Sequence, residues 1–293
     1  MTFNEGVRID TSRTSTSGGG GGFPGGGGGI AVGGGMVGLI VLLLTLFLGG
    51  DPGSVLSQQA IQPQGGVDAP GFDLSQCRTG KDANEKIECR MVATGNSVDG
   101  VWSQLMKGYT PPHMKLFKGQ TDTGCGPATS DVGPFYCPGD QKVYIDLAFY
   151  QELKTRFRAP GDFAQAYVIA HEVGHHVQNL LGISAKVQAA RERAGEREAN
   201  ALSVRLELQA DCLAGVWAHN ADASRHILEA GDVEEALTAA SAIGDDTLQK
   251  QAQGYAVPDS FTHGSAAQRT RWFKAGMEAG KLGACNTFQA KSL

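Results

Sequence analysis

His171, Glu172 and His175 stand in the spacing His-Glu-x-x-His within AHEVGHHVQNLLG. On a helix, residues four apart share a face with Cβ atoms about 5–6 Å apart, so both imidazoles can reach one metal ion at about 2.0–2.1 Å. Glu172 follows the first histidine; it is placed to take a proton from a metal-activated water rather than to ligate. A catalytic zinc needs a third protein ligand and an open position. Glu207, in Glu207-Leu208-Gln209-Ala210-Asp211, is the candidate, and Asp211, four residues on, can accept a hydrogen bond from the free ring N–H of a ligand histidine. Such a site hydrolyses acyl compounds if a donor steadies the oxyanion. His263, in Phe261-Thr262-His263-Gly264, is the first candidate for that donor and Tyr255 the second. His176 points about 100° around the helix from His175 and should pack beside the site rather than bind metal.

These residues need helices. From Gln151 onward the apolar residues recur at three- and four-residue steps; Pro160, Gly161 and Asp162 signal the start of the first helix and Gly182 its end. A second helical stretch covers about 191–219 and a third is opened by Asp232, with Glu235 as a capping-box partner. A last spans about 265–279. On that last helix Arg269 and Arg271 are two apart and cannot both face the site. The part before Gln151 is rich in turns, and the β-branched and aromatic alternation of KVYIDLAFY suggests a strand. Its Lys142–Asp146 portion could offer an edge for an extended peptide.

The blocks AHEVGHHVQNLLG, ELQADCLAGVWAH, VGPFYCPGDQKVYID and PDSFTHGSAAQRTRWF together resemble the bacterial neutral zinc metallopeptidase family of membrane-anchored proteins, over about residues 71–290. The HExxH with a later ExxAD is similar to the gluzincin arrangement. The resemblance implies a zincin-like fold with Zn²⁺ on His171, His175 and Glu207, Glu172 as base, and a peptide or protein substrate. The expected class is therefore α+β: a mainly helical metallopeptidase domain with a small sheet, preceded by one transmembrane helix. Two other functions share these residues, a zinc-stabilised binding or assembly module and a metal-dependent amidase acting on cell-wall peptides. A base beside the ligand has no use in a purely structural site.

Composition bounds the rest. The chain has 293 residues and a formal net charge of -5, without the basic excess that nucleic-acid binding requires. Eighteen of its 42 glycines fall in the first 53 residues, so residues 1–29 read as a disordered Gly/Ser-rich tail. Nineteen uncharged residues, Ile30 to Leu48, make 30–49 the expected transmembrane helix, with 50–70 a linker and 71–293 the metallopeptidase domain. Arg8 and Arg13 precede the run and the next basic residue is Arg78. The expected orientation is thus N-terminus cytoplasmic and catalytic domain extracytoplasmic. Six cysteines follow the run, an even number suited to an oxidising compartment. Cys77 with Cys89 and Cys125 with Cys137 would each close a short loop, leaving Cys212 with Cys285; the alternative for Cys212 is a buried free thiol.

Overall fold

Two stretches of the chain, residues 1–16 and 72–293, are described in the computed structural model. A short strand, β1 (Thr14–Thr16), precedes helices α1 (Gly80–Glu85) and α2 (Ile87–Leu105). Five strands follow: β2 (His113–Phe117), β3 (Gln120–Thr123), β4 (Gly126–Thr129), β5 (Phe135–Cys137) and β6 (Lys142–Asp146). Thereafter the described chain is helical: α3 (Leu147–Thr155), α4 (Asp162–Leu180), α5 (Ile183–Arg191), α6 (Glu196–Arg225), α7 (Asp232–Ala242), α8 (Asp245–Gln253) and α9 (Ala266–Ala279). One sheet has the order β1-β2-β6-β5, with β1, β2 and β6 parallel and β5 antiparallel to β6; β3 and β4 form a separate antiparallel pair.

Local chemistry explains where several elements depart from expectation. The strand in KVYIDLAFY stops at Asp146, because its carboxylate accepts the Ala148 N–H at 2.8 Å and caps α3. Filling an orphan donor there outweighs the β-propensity of Phe149 and Tyr150. β6 lies between β2 and β5, so it is not an edge; the free edge beside it belongs to β5. The capping box expected from Asp232 and Glu235 does not form, since both carboxylates serve other partners. Asp232 accepts from the Met1 amine at 2.8 Å and the Glu229 N–H at 2.7 Å, while Glu235 reaches α4 and accepts the Phe163 N–H at 3.1 Å. At the last helix the expected start is present: Ser265 and Gln268 form a capping box.

The N-terminal expectations are corrected. Residues 1–16 are not a free tail: Met1 and Phe3 are buried in the main core, β1 extends the sheet, and Ile9 N–H donates to the Arg78 carbonyl. Two apolar side chains and a strand register, none of which shows as periodicity in so short a segment, offset the ordering entropy. Among the described residues the architecture is mostly helical with small sheets, and the expected transmembrane helix is not shown. Among the described residues no helix is long and apolar enough to cross a membrane, and segment 30–49 lies outside them. Residues 1–16 and 72–293 share one sheet and one core.

At the centre α4 packs on α6 and α6 on α9. A Cβ on Gly174 would stand 3.1 Å from the Ala210 carbonyl oxygen, so the α4–α6 crossing is close. The α6–α9 contact is closer still: a Cβ on Gly215 would meet the Phe273 oxygen at 2.1 Å, and one on Gly276 the Cys212 oxygen at 1.9 Å. Phe163 of α4 stacks on Trp217 of α6 with ring centroids 5.7 Å apart. Phe3→Ala should destabilise the fold by about 3 kcal/mol and lower its melting temperature by roughly 6–12 °C. A thermal melt equal to that of the wild type would show that residues 1–16 add nothing to the domain.

Candidate metal centre and cleft

The crossing at Gly174 and Ala210 sets the metal-binding residues face to face. Gly174 lies one residue before His175, and Ala210 one before Asp211 and three after Glu207. Single ligand atoms of His171, His175 and Glu207 all fall within 4.8 Å of one another. His171 Nε2 is 3.2 Å and His175 Nε2 3.5 Å from Glu207 Oε2. Ligands about 2.05 Å from a tetrahedral centre stand roughly 3.3 Å apart, so the donor set and its spacing both fit zinc. The two imidazoles meet edge to face with centroids 4.8 Å apart, which lets both direct Nε2 at one point.

Their other nitrogens are held. His171 Nδ1–H donates to Asp211 Oδ1 at 2.8 Å, as the four-residue spacing from Glu207 implies. His175 Nδ1–H donates to Gln178 Oε1 at 2.9 Å, and the Gln178 amide is held in turn, donating to the Leu206 carbonyl and to Gln209 Oε1. Asp211, with no exposed surface, also accepts from Tyr167 Oη at 2.5 Å and from Arg269 through Nε (2.8 Å) and Nη2 (2.9 Å). Arg269 is thus the arginine that turns inward, while Arg271 lies on the outer side and donates to the Leu293 carbonyl.

Charge follows from this packing. Burial alone would raise the Asp211 pKa, but Arg269 and His171 outweigh it and hold the carboxyl well below the usual range. For His171 burial works downward, and Asp211 and Glu207 overcome it, lifting the imidazole to about 10 in the metal-free chain. Burial would likewise raise Glu207, yet His175 and His171 hold it far down. The centre therefore keeps two carboxylates ionised in a desolvated place, as a divalent cation requires, and metal binding displaces the imidazole protons. Glu172 is buried and its pKa is raised by desolvation, offset in part by the two histidines.

His263 lines the cleft beside the centre. Its Nδ1 lies 3.2 Å from Asp245 Oδ1, which leaves Nε2 as its other polar atom. Asp245 Oδ2 accepts the N–H groups of Thr262, His263 and Gly264 at 2.8, 2.7 and 3.0 Å and so holds the loop that presents the histidine. Burial lowers the His263 pKa, but Asp245 outweighs it and the net shift is upward. Tyr255 is not brought to the site: it is 62% exposed and is not among the residues lining the cleft, because the loop after α8 turns it to solvent. His176 packs beside the site as expected, with Nδ1 3.0 Å from Tyr136 Oη and Nε2 2.7 Å from the Thr110 carbonyl.

A cleft of about 740 Å³ contains the centre. One wall is β5 with Phe135 and Tyr136, another is α3 with Phe149, and α8 contributes Leu248. The cysteines pair as the loop lengths suggest, Cys77–Cys89, Cys125–Cys137 and Cys212–Cys285, so Cys212 is not a free thiol. Gln178, Asp245 and Tyr136 were not singled out from the sequence. The first stands three residues after His175, a helical-neighbour signal; the other two come to the site only through the fold.

The three grouped donors on two helices, with a buried carboxylate beside them at a cleft, are an arrangement of the zinc metallopeptidase kind. The chain belongs to the family described as "Putative neutral zinc metallopeptidase", whose model matches residues 3–288; the match takes in most of the ordered N-terminal stretch. It is 55% identical to an uncharacterized protein, Rv2575, of Mycobacterium tuberculosis over 303 residues, covering all of both chains. It is 49% identical to an uncharacterized protein, YpfJ, of Escherichia coli over 234 residues, covering 74% of this chain and 81% of that one. No solved structure matches.

Gln178→Leu removes the partner of His175 without unpairing a charge. Zinc affinity should fall about 10–100-fold, the usual effect of losing such a support. Competition with a chelator of known affinity measures it, and an unchanged constant would mean that packing alone orients His175.

Proposed function

We propose that this chain hydrolyses peptide bonds, with zinc on His171, His175 and Glu207 and Glu172 as general base. The observation that carries the proposal is the place of Glu172: a buried carboxylate on the ligand helix, one residue from His171, facing a large cleft rather than a packed core. A purely structural zinc site has neither the base nor the cleft.

Zinc held there would polarise the scissile carbonyl and lower the pKa of water. Glu172 takes a proton from the attacking water and delivers it to the leaving amine; desolvation, which raises its pKa, makes it a better base than an exposed carboxylate. His263, whose pKa Asp245 raises, donates from Nε2 to the developing oxyanion. The free edge of β5 offers its backbone to an extended substrate, the role first expected of Lys142–Asp146. Apolar side chains such as Phe135, Phe149 and Leu248 exclude water around it.

Glu172→Gln keeps the size of the side chain and removes the base. It should retain one zinc per chain by elemental analysis and lose at least about 10³-fold in kcat on a peptide library; cleavage at the wild-type rate would sink the proposal. Zinc in the wild type without cleavage of library or cell-wall peptides would favour a binding module, and cleavage of cell-wall peptides alone would favour the amidase. The three disulfides support residence of the domain in an oxidising compartment. Alkylation of the native protein as isolated from its source should find no reactive thiol, and six modified cysteines would overturn that placement.

A further inference from the structure

The helix that carries the base also carries, on the same stripe, two polar residues with no part in the metal centre. Glu172, His176 and Asn179 stand at i, i+4 and i+7 of α4 and therefore share one face. Two of them, His176 and Asn179, are held by one residue of the edge strand, Tyr136. Its hydroxyl donates to His176 Nδ1 at 3.0 Å and accepts from Asn179 Nδ2 at 3.1 Å. The His176 tautomer is set by the Thr110 carbonyl, which accepts Nε2–H at 2.7 Å and leaves Nδ1 as the acceptor. The imidazole has no exposed surface and lies edge-on to Tyr109 and Tyr136, with centroids 5.8 and 5.3 Å away, so it cannot turn to another partner.

We propose that Tyr136 is a positioning residue that clamps the edge strand to the helix that carries Glu172, fixing the distance from that helix at which β5 meets a substrate backbone. The inference rests on the peptidase reading and deepens it. β5 is three residues long and, among the described residues, pairs only with β6. Its pairing through Phe135 and Cys137 sets its position in the sheet. That pairing does not set its distance from α4. The Tyr136 hydroxyl sets that distance, because it is held at once by His176 and Asn179, three residues apart on the stripe. Displacing a substrate strand by a fraction of an ångström lowers the rate while leaving the metal ligands intact.

The test uses the full chain with zinc bound, comparing wild type with Tyr136→Phe, Asn179→Ala and the double variant. Tyr136→Phe keeps the ring and removes the hydroxyl. Amide exchange at 135–137 should rise about five- to tenfold, the loss of one to two hydrogen bonds, with exchange in α2 and zinc content unchanged. On an extended peptide kcat should fall by about tenfold or more. Asn179→Ala should give a smaller fall and add nothing in the double variant, since both act through the same hydroxyl. Wild-type exchange at β5 in Tyr136→Phe would overturn the clamp whether or not the chain cleaves peptides. Raised exchange with unchanged kcat would overturn the positioning role. If the wild type binds zinc and cleaves nothing, the peptidase reading falls, and the exchange result alone still decides whether the clamp exists.

Discussion

The close crossing of α4 and α6 at Gly174 and Ala210 is the constraint on which the site depends. Backbones that approach this closely leave no room for a side chain between them, so residues flanking the crossing point must face each other. His171 and His175 of one helix and Glu207 and Asp211 of the other are those residues. Any widening of the crossing would separate Glu207 Oε2 from the imidazoles before it disturbed either helix. Metal affinity is thus linked to core packing far from the metal, including the Phe163–Trp217 stack between the same helices.

A second close contact, α6 on α9 through Gly215 and Gly276, brings Arg269 to Asp211. Asp211 is fully buried and accepts four hydrogen bonds on its two oxygens, from His171, Tyr167 and the Nε–Nη2 edge of the Arg269 guanidinium. A buried ion pair of this kind adds little net stability on its own, because desolvating both charges opposes their attraction. Its effect is directional: the carboxylate stays ionised and fixed, and His171 presents Nε2 with one tautomer. The Cys212–Cys285 disulfide, immediately after Asp211, ties the same turn of α6 to the end of the chain.

The cleft is built differently on its two sides. The metal side is rigid, made of long helices in a shared core. Opposite it stand a three-residue edge strand and the loop presenting His263, each held by a few polar contacts to one group, Tyr136 with α4 and Asp245 with residues 262–264. The strand and the loop are held by hydrogen bonds that an adjustment can exchange, whereas the metal-binding residues are held by close packing, which cannot adjust without loss.

The metal-binding chemistry was legible in the sequence because its determinants are local. His171 to His175 and Glu207 to Asp211 are helical neighbours whose spacing fixes a shared face whatever surrounds them. The loop closures of Cys77–Cys89 and Cys125–Cys137 are local in the same sense. What depended on contacts distant along the chain was not legible. Tyr255 and His263 are eight residues apart, and nothing local says that one turns to solvent while Asp245, eighteen residues before it, carries the other into the cleft. Lys142–Asp146 reads as a strand, but whether a strand is an edge is settled by its neighbours, and here β2 and β5 take both sides. The first sixteen residues show most clearly why: their low apolar content reads as a tail, and only the pocket that receives Met1 and Phe3 and the open side of β2 make them part of the fold. That same packing puts them beside the body. Sequence spacing determines which residues share a helix face; the tertiary structure decides what each face meets, because burial and pairing belong to two partners and the sequence shows only one at a time.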